Sequence, residues 1–332
     1  MKVNELRAAL GKYEADTLRE IAVELYKMIP KSQKENNGID DLLLDFNKEK
    51  IKQDKKETPV NFEALKAEIE QFLVYAELQY YFAPNKHVRK EKRSKWRFEV
   101  KRFIKDLIRV GGENSEEAGN LLANIYSMLS YGCNYYIFST EDPFSAVGYE
   151  QKDLLLLVLN KIFYSGYTPG AIKAAVFLTL DSNLNWNTYQ INLLSALVGV
   201  FKTTDTRETA LSQCAAYRDG YSSYQASKKF FKYPGTKNDY RCTEHRNYAV
   251  ELYLMLKFSL HEYDGGINYY WKNFEDTDKE VKLYRLLWYF LGGEGEQMNA
   301  LWIREYEKAV AGGIKPRDSL RDEYAHRITA QK

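Results

Sequence analysis

Apolar residues return every three or four positions along almost the whole chain, a spacing that lines them up on one face of a helix. Leu6 and Leu10 form a short stripe, and Leu18, Ile21, Ala22, Leu25 and Ile29 form a second, with Pro30 placed where it stops a helix. Phe62, Leu65, Ile69, Phe72, Leu73 and Ala76 share a face, as do Trp96, Val100, Phe103 and Leu107. The rule holds again for Ala118, Leu121, Leu122, Ile125, Met128 and Leu129, and for Val281, Tyr284, Leu287, Trp288 and Leu291. No convincing run alternates apolar and polar residues as a half-buried strand does. The expected fold class is all-α. Turns such as RVGGENS, YSGYTPG, YPGTKND and FLGGEGEQ separate the helical stretches, with glycine where a helix ends. This predicts stacked antiparallel helical hairpins, either an irregular solenoid or a multi-helix bundle.

The pattern also divides the chain. Residues 1–46 read as a small N-terminal helical unit with a polar connection, KSQKENNG, at 31–38. Residues 47–60 include NKEKIKQDKKETP and read as a charged linker, and 61–332 as the main helical domain. No regular repeat signature of a named class is visible.

Composition narrows the setting. Formal net charge is +2, so no strong field surrounds the whole molecule. The three cysteines, Cys133, Cys214 and Cys242, are too few and too odd in number for a disulfide framework, and they fit a reducing compartment. The longest apolar runs, LLLLVL at 154–159 and INLLSALVGVF at 191–201, fall short of the roughly 20 residues of a membrane span. The opening MKVNELRAALGKYEAD is amphipathic and carries acids, without a signal-peptide apolar core. A cytoplasmic protein with no membrane partner is expected. Tyrosine is over-used, 27 against 16 Phe and 5 Trp, which suits thin helical layers or a binding surface, since the ring buries while the hydroxyl stays wet.

Three constellations carry chemistry. The stretch 85–110, NKHVRKEKRSKWRFEVKRFIKDLIRV, holds eleven Lys and Arg against Glu91, Glu99 and Asp106. Clustered cations contact phosphates, so Arg89, Lys90, Lys92, Arg93, Lys95, Arg97, Lys101 and Arg102 are candidate nucleic-acid-binding residues. The competing reading is a solvated helical face. Trp96, in register with Val100, Phe103 and Leu107, reads as core and not as a base-stacking ring. CTEH at 242–245, with His261 and Asp264 downstream, offers four groups of zinc-ligating type. A structural zinc site usually has tight pairs rich in cysteine, so the preferred reading is a partly buried Cys242 with surface histidines and no metal or other cofactor. The motifs GxxxxGK[ST], GxSxG and HExxH are missing, and GGEGE at 292–296 reads as a turn.

Resemblances extend these readings. RDEYAH at 321–326 resembles the Arg-x4–6-His motif of the all-helical HEPN ribonucleases, which implies Arg321 on a phosphate and His326 shuttling a proton. The N-terminal helix–turn–helix resembles small modules that bind DNA or RNA, the SAP type among them, without that family's glycine and lysine pattern. KWRFEVKRFIKDL (95–107), YGCNYYIFSTEDPFSAVG (131–148) and LREIAVELYK (18–27) resemble, over roughly the first half of the chain, a family of bacterial helical proteins with no established activity. That resemblance implies a bacterial, helical, cytoplasmic protein and assigns no residue.

The leading expectation is a non-enzymatic helical interaction or scaffold protein whose partner is a protein or a nucleic acid. The alternative is an RNA-acting effector using Arg321 and His326. One internal match bears on architecture. GCNYYIFSTED (132–142) and GINYYWKNFED (266–276) agree at six of eleven positions. Both are expected to be joints: a helix end with glycine, a tyrosine pair filling the corner, and a cap for the next helix. Asp142 before Pro143 suits an N-cap, and Thr277 with Glu280 suits a capping box.

Overall fold

Capping residues stand where the periodic stretches begin. The Asn61 side chain accepts from the Ala64 amide, and Thr168, ahead of Pro169, accepts from Ala171. Thr203 and Thr206 cap each other reciprocally. Each satisfies an amide that a helix start leaves without a partner. The computed structural model describes residues 3–30, 34, 39–44, 60–232 and 240–330. Among them there is no strand, and the fold is an all-α multi-helix bundle, as the periodicity predicts. No helix among the described residues is long and apolar enough to cross a membrane.

The chain divides into two units, Met1–Pro59 and Val60–Lys332. The first holds α1 (Val3–Leu10), α2 (Ala15–Met28) and α3 (Ile39–Leu44). The α2 helix closes at Ile29, immediately before Pro30. No residue of this unit whose exposure is described is buried. The expected connection 31–38 lies outside the described residues apart from Lys34, the expected linker 47–60 apart from Val60, and the YPGTKND turn (233–239) entirely.

The second unit carries α4 (Phe62–Glu77), α5 (Lys90–Arg93), α6 (Trp96–Arg109), α7 (Ser115–Gly132), α8 (Pro143–Val147), α9 (Gln151–Ile162), α10 (Pro169–Leu180), α11 (Gln190–Val200), α12 (Thr204–Ser227) and α13 (Tyr240–Ser259). Then come α14 (Tyr263–Asn273), α15 (Lys279–Arg285), α16 (Glu296–Ala311) and α17 (Asp318–Ala330). Helices pack on the next and on the next but one: α12 on α13 and α13 on α14, but also α7 on α9, α9 on α11 and α10 on α12. The six residues predicted to share a face of α4 are all buried, as are Trp96, Val100, Phe103 and Leu107 on α6.

Two apolar cores result. The larger gathers α4 through α13; the smaller gathers α14 through α17. The α13 helix is the wall between them. Its Tyr248, Ala249, Leu252 and Leu256 belong to the first core, its Val250 and Leu254 to the second. Apolar on two sides, it has almost no single preferred face, which is how a helix reads when it is enclosed.

One predicted face is corrected. After α15 the chain makes a wide π turn, Leu286–Phe290. The buried side of this stretch runs through Leu283, Leu286 and Leu287, so Val281 and Tyr284 are only half-buried and Trp288, predicted to face inward, turns away from that side and is about half exposed.

Candidate functional site

The basic stretch is split by its neighbours. Trp96 is buried and stacks on Phe138 at 3.8 Å between centroids, so it is core. Arg93 is half-buried and donates to the Val88 and Asn85 carbonyls, bracing the loop before α5. Arg102 bonds Glu68 on α4 at 2.5 Å and lies 3.7 Å from Asp106. Arg89, Lys90, Lys92, Lys95, Arg97 and Lys101 are exposed. From 86 to 101 eight cations face two acids, six net positive charges, so the rest of the chain carries a net charge of −4. The charge is segregated although the total is small. The Phe98 ring, 61 % exposed, lies among these cations with the Arg97 guanidinium 4.8 Å from its centroid.

Arg321 and His326 are both exposed on α17, five residues and about 140° apart around the axis. Arg321 is held by Asp318 one turn back. The α17 helix docks on α16: Leu320 is fully buried and Tyr324 stacks on Tyr306 at 4.4 Å.

The zinc-type residues are not brought together. His245 is buried and not at the surface: its Nδ1 donates to the Leu180 carbonyl at 2.7 Å, which fixes the tautomer because a carbonyl only accepts. His261 lies beyond the other end of the same helix beside Tyr263, and Asp264 pairs with Arg304. No group of three metal-ligating residues occurs among the described residues. Two of the three thiols are unsuited to nucleophilic work: burial pushes Cys133 up to about 12, with Asp142 adding to the shift, and pushes Cys214 up as well.

A feature that periodicity did not expose lies on α13. Tyr240, Thr243, Glu244, Asn247, Tyr248 and Glu251 recur every three or four residues and form the floor of a cleft of about 370 Å³. This is the third side of α13, between the two that feed the cores. One wall is the start of α11, with Leu184, Tyr189, Gln190 and Ile191; the other is 274–276 together with Val281, Arg285, Tyr289 and Phe290. The π turn sets Tyr289 and Phe290 at the same wall as Arg285.

No family model, no curated protein and no solved structure matches this chain. The cleft therefore stands on its own geometry, and that geometry is braced.

The segment from Asp181 to Asn185, mostly buried, is tied down on several sides before it reaches Gln190. Ser182 donates to the Tyr126 hydroxyl, the Asn183 amide donates to Ser130, and Gln151 bonds both the Asn183 carbonyl and the Asn185 amide. Asp181 accepts from Gln225 at 2.5 Å and from Lys228 at 2.6 Å. Buried polar groups with partners like these rigidify a chain.

On the opposite wall, Asn247 makes two reciprocal bonds with the Glu275 backbone, at 2.9 and 2.7 Å. Arg246 grips the Glu275 carboxylate at 2.9 and 2.7 Å and holds it below the usual carboxylate range. In the floor Glu251, 2 % exposed, accepts from Arg285 at 2.9 Å; its burial pushes the carboxyl up against the pull of that guanidinium. Burial, and Glu244 beside it, push the Tyr248 phenol up too. The cleft thus carries its carboxylates on held backbone, with phenol rings around them.

Proposed function

We propose that this chain is a helical interaction protein, not a catalyst, and that it engages nucleic acid through the exposed cations of the 86–109 stretch. One observation carries the reading: Arg89, Lys90, Lys92, Lys95, Arg97 and Lys101 crowd the short helix α5 and the first turns of α6, with the exposed Phe98 ring among them. Such crowding of like charge costs stability, and a polyanion relieves it. Phosphates take the cations, and an exposed ring gives a base a surface to stack on. Phe98 takes the part that the buried Trp96 cannot.

The test is anisotropy of a labelled single-stranded oligonucleotide across a salt series. The association constant is expected to fall steeply with salt, with a log–log slope near −0.7 per phosphate engaged. Reversing Lys90, Lys92 and Lys95 to Glu is expected to weaken binding at least about tenfold and to flatten the slope. Phe98→Ala is expected to weaken single-strand binding with the slope unchanged. Absence of binding at low salt, or binding that ignores the charge reversals, defeats the reading.

A further inference from the structure

We propose that the α13 cleft is a binding site for a small organic cation, a molecule with an ammonium or guanidinium group next to an amide-like donor and acceptor. The inference is independent of the basic surface, which has the opposite charge.

Charge comes first. Four carboxylates line the cleft, Glu244, Glu251, Glu275 and Asp276, against one lining cation, Arg285. Glu251 is matched by Arg285, and Glu275 by Arg246 from behind the wall. Glu244 and Asp276 have no ion pair among the described residues; Glu244 bonds only the Tyr248 phenol, and Asp276 accepts the Asp278 amide. Asp276 also interacts with the charge of Lys282, so Glu244 is the carboxylate left to attract a cation, with Asp276 beside it. The walls suit the same ligand. Tyr189, Tyr240 and Tyr289 are exposed at the rim, and ring faces attract cations once water is displaced. A tyrosine rim is also cheap to order, with two torsions per side chain. The volume of about 370 Å³ lies in the range of small-ligand sites.

The second observation is Gln190. It lines the cleft, is 6 % exposed, and neither its Nε2 nor its Oε1 has a hydrogen-bond partner among the described residues. A buried amide without partners is costly and uncommon in folded proteins. Close by, Asn183 and Gln151 pair both ends of their amides, whereas Gln190 pairs neither. A ligand that presents an N–H and an acceptor beside its charge satisfies both ends of Gln190 while its cation meets Glu244 and Asp276.

The probe is Nα-acetyl-L-argininamide, whose guanidinium is its one charge and which also carries amide donors and acceptors, titrated calorimetrically into the full chain. Its comparison is Nα-acetyl-L-citrullinamide, of nearly the same shape, with a neutral urea in place of the guanidinium and no charge. Argininamide is expected to bind at least about tenfold more tightly than citrullinamide. Glu244→Gln, which keeps the shape and removes the charge, is expected to erase that preference. Gln190→Leu is expected to melt at the same or a higher temperature than the wild type, since it removes an unpaired amide, and yet to bind argininamide about tenfold more weakly. A merely structural Gln190 would not give that split. Equal binding of the two probes, no binding of argininamide up to roughly 10 mM, or tighter binding of a neutral sugar such as glucose overturns the proposal.

Discussion

In the stretch 132–142 the chain leaves a helix; in 266–276 it runs through one. Gly132 is the last residue of α7, Tyr135 stacks back on Tyr131 at 4.2 Å, and Tyr136 is 63 % exposed. Ile137 and Phe138, not the tyrosines, fill the corner, and Asp142 caps α8 through the Ser145 amide as its place before Pro143 predicts. In the second stretch the turn comes earlier, at His261 with φ of 61°, and α14 begins at Tyr263. Gly266, Tyr269 and Tyr270 are then helical; Tyr269 stacks on Tyr253 at 3.7 Å, and Tyr270 is fully buried. The joint lies at 274–278, and its cap is Asp278, which accepts from Glu280, rather than the expected Thr277 box. The reading as two matched joints therefore holds for the first stretch in its glycine end and its cap, is corrected there for the tyrosine pair, and is corrected for the second stretch as a whole. What the stretches share is close approach at glycine. A Cβ at Gly132 would lie 2.9 Å from Pro143 Cγ, and one at Gly266 would lie 3.0 Å from Lys257 Cβ.

The contrast can be broken most directly at the second tyrosine. Tyr270→Ala is expected to cost about 3–5 kcal/mol, because it empties a buried site and loses the hydroxyl bond to the Lys282 carbonyl. The matched Tyr136→Ala is expected to stay within about 0.5 kcal/mol. Similar urea midpoints for the two variants would erase the distinction between joint and helix.

The glycines give a smaller difference. Gly132→Ala presses on Pro143 and on Ile137, at 2.9 and 3.2 Å, and is expected to cost about 1–3 kcal/mol. Gly266→Ala meets Lys257 and Leu254 at 3.0 and 3.1 Å but gains helix propensity of about 1 kcal/mol, so its net effect is expected within about 1 kcal/mol of zero. Thermal denaturation of both variants orders them, and a larger loss for Gly266→Ala would reverse the comparison.

The closing acids sharpen it further. Asp142→Ala is expected to cost about 1–2 kcal/mol at neutral pH, since it loses a cap and a partner for Asn185. Glu275 acts through its charge instead. Arg246 keeps its folded pKa below the unfolded value, so its stabilisation is present above the ordinary glutamate range and is lost as pH falls through the folded value. From about pH 5 downward the wild type is expected to lose stability faster than Glu275→Gln. Parallel curves over that interval would mean that the Arg246 grip contributes nothing.

Much of the bundle was readable because helix periodicity is a local signal. The faces of α4 and α6, the Pro30 stop and the Asp142 cap each depend on residues within one or two turns. The Trp288 face differs because the buried side runs through Leu283, Leu286 and Leu287, a choice made by the core they meet and not by the spacing of apolar residues alone. Of the candidate sites, the basic stretch shows in the sequence because its cations are contiguous. The cleft does not, because its residues come from α11, α13, the 274–276 corner and the π turn. One trace was present: Glu244, Asn247 and Glu251 at spacings of three and four, with Glu251 the one charge in the apolar and aromatic run 248–256. Polar residues at that spacing mark a helix side that faces neither core.

The sequence by itself determined that this chain is helical, where most helices start and stop, and which side chains are apolar enough to be enclosed. Those are properties of neighbours along the chain, where backbone hydrogen bonding and side-chain spacing act over a few residues. Only the tertiary structure decided whether an Asn-Tyr-Tyr step continues a helix or leaves one, that α13 divides two cores, and that Gln190 meets Glu244 across a cleft. Burial and pairing depend on which distant surfaces come together, and neither Tyr136 nor Tyr270 carries that information in its own eleven residues.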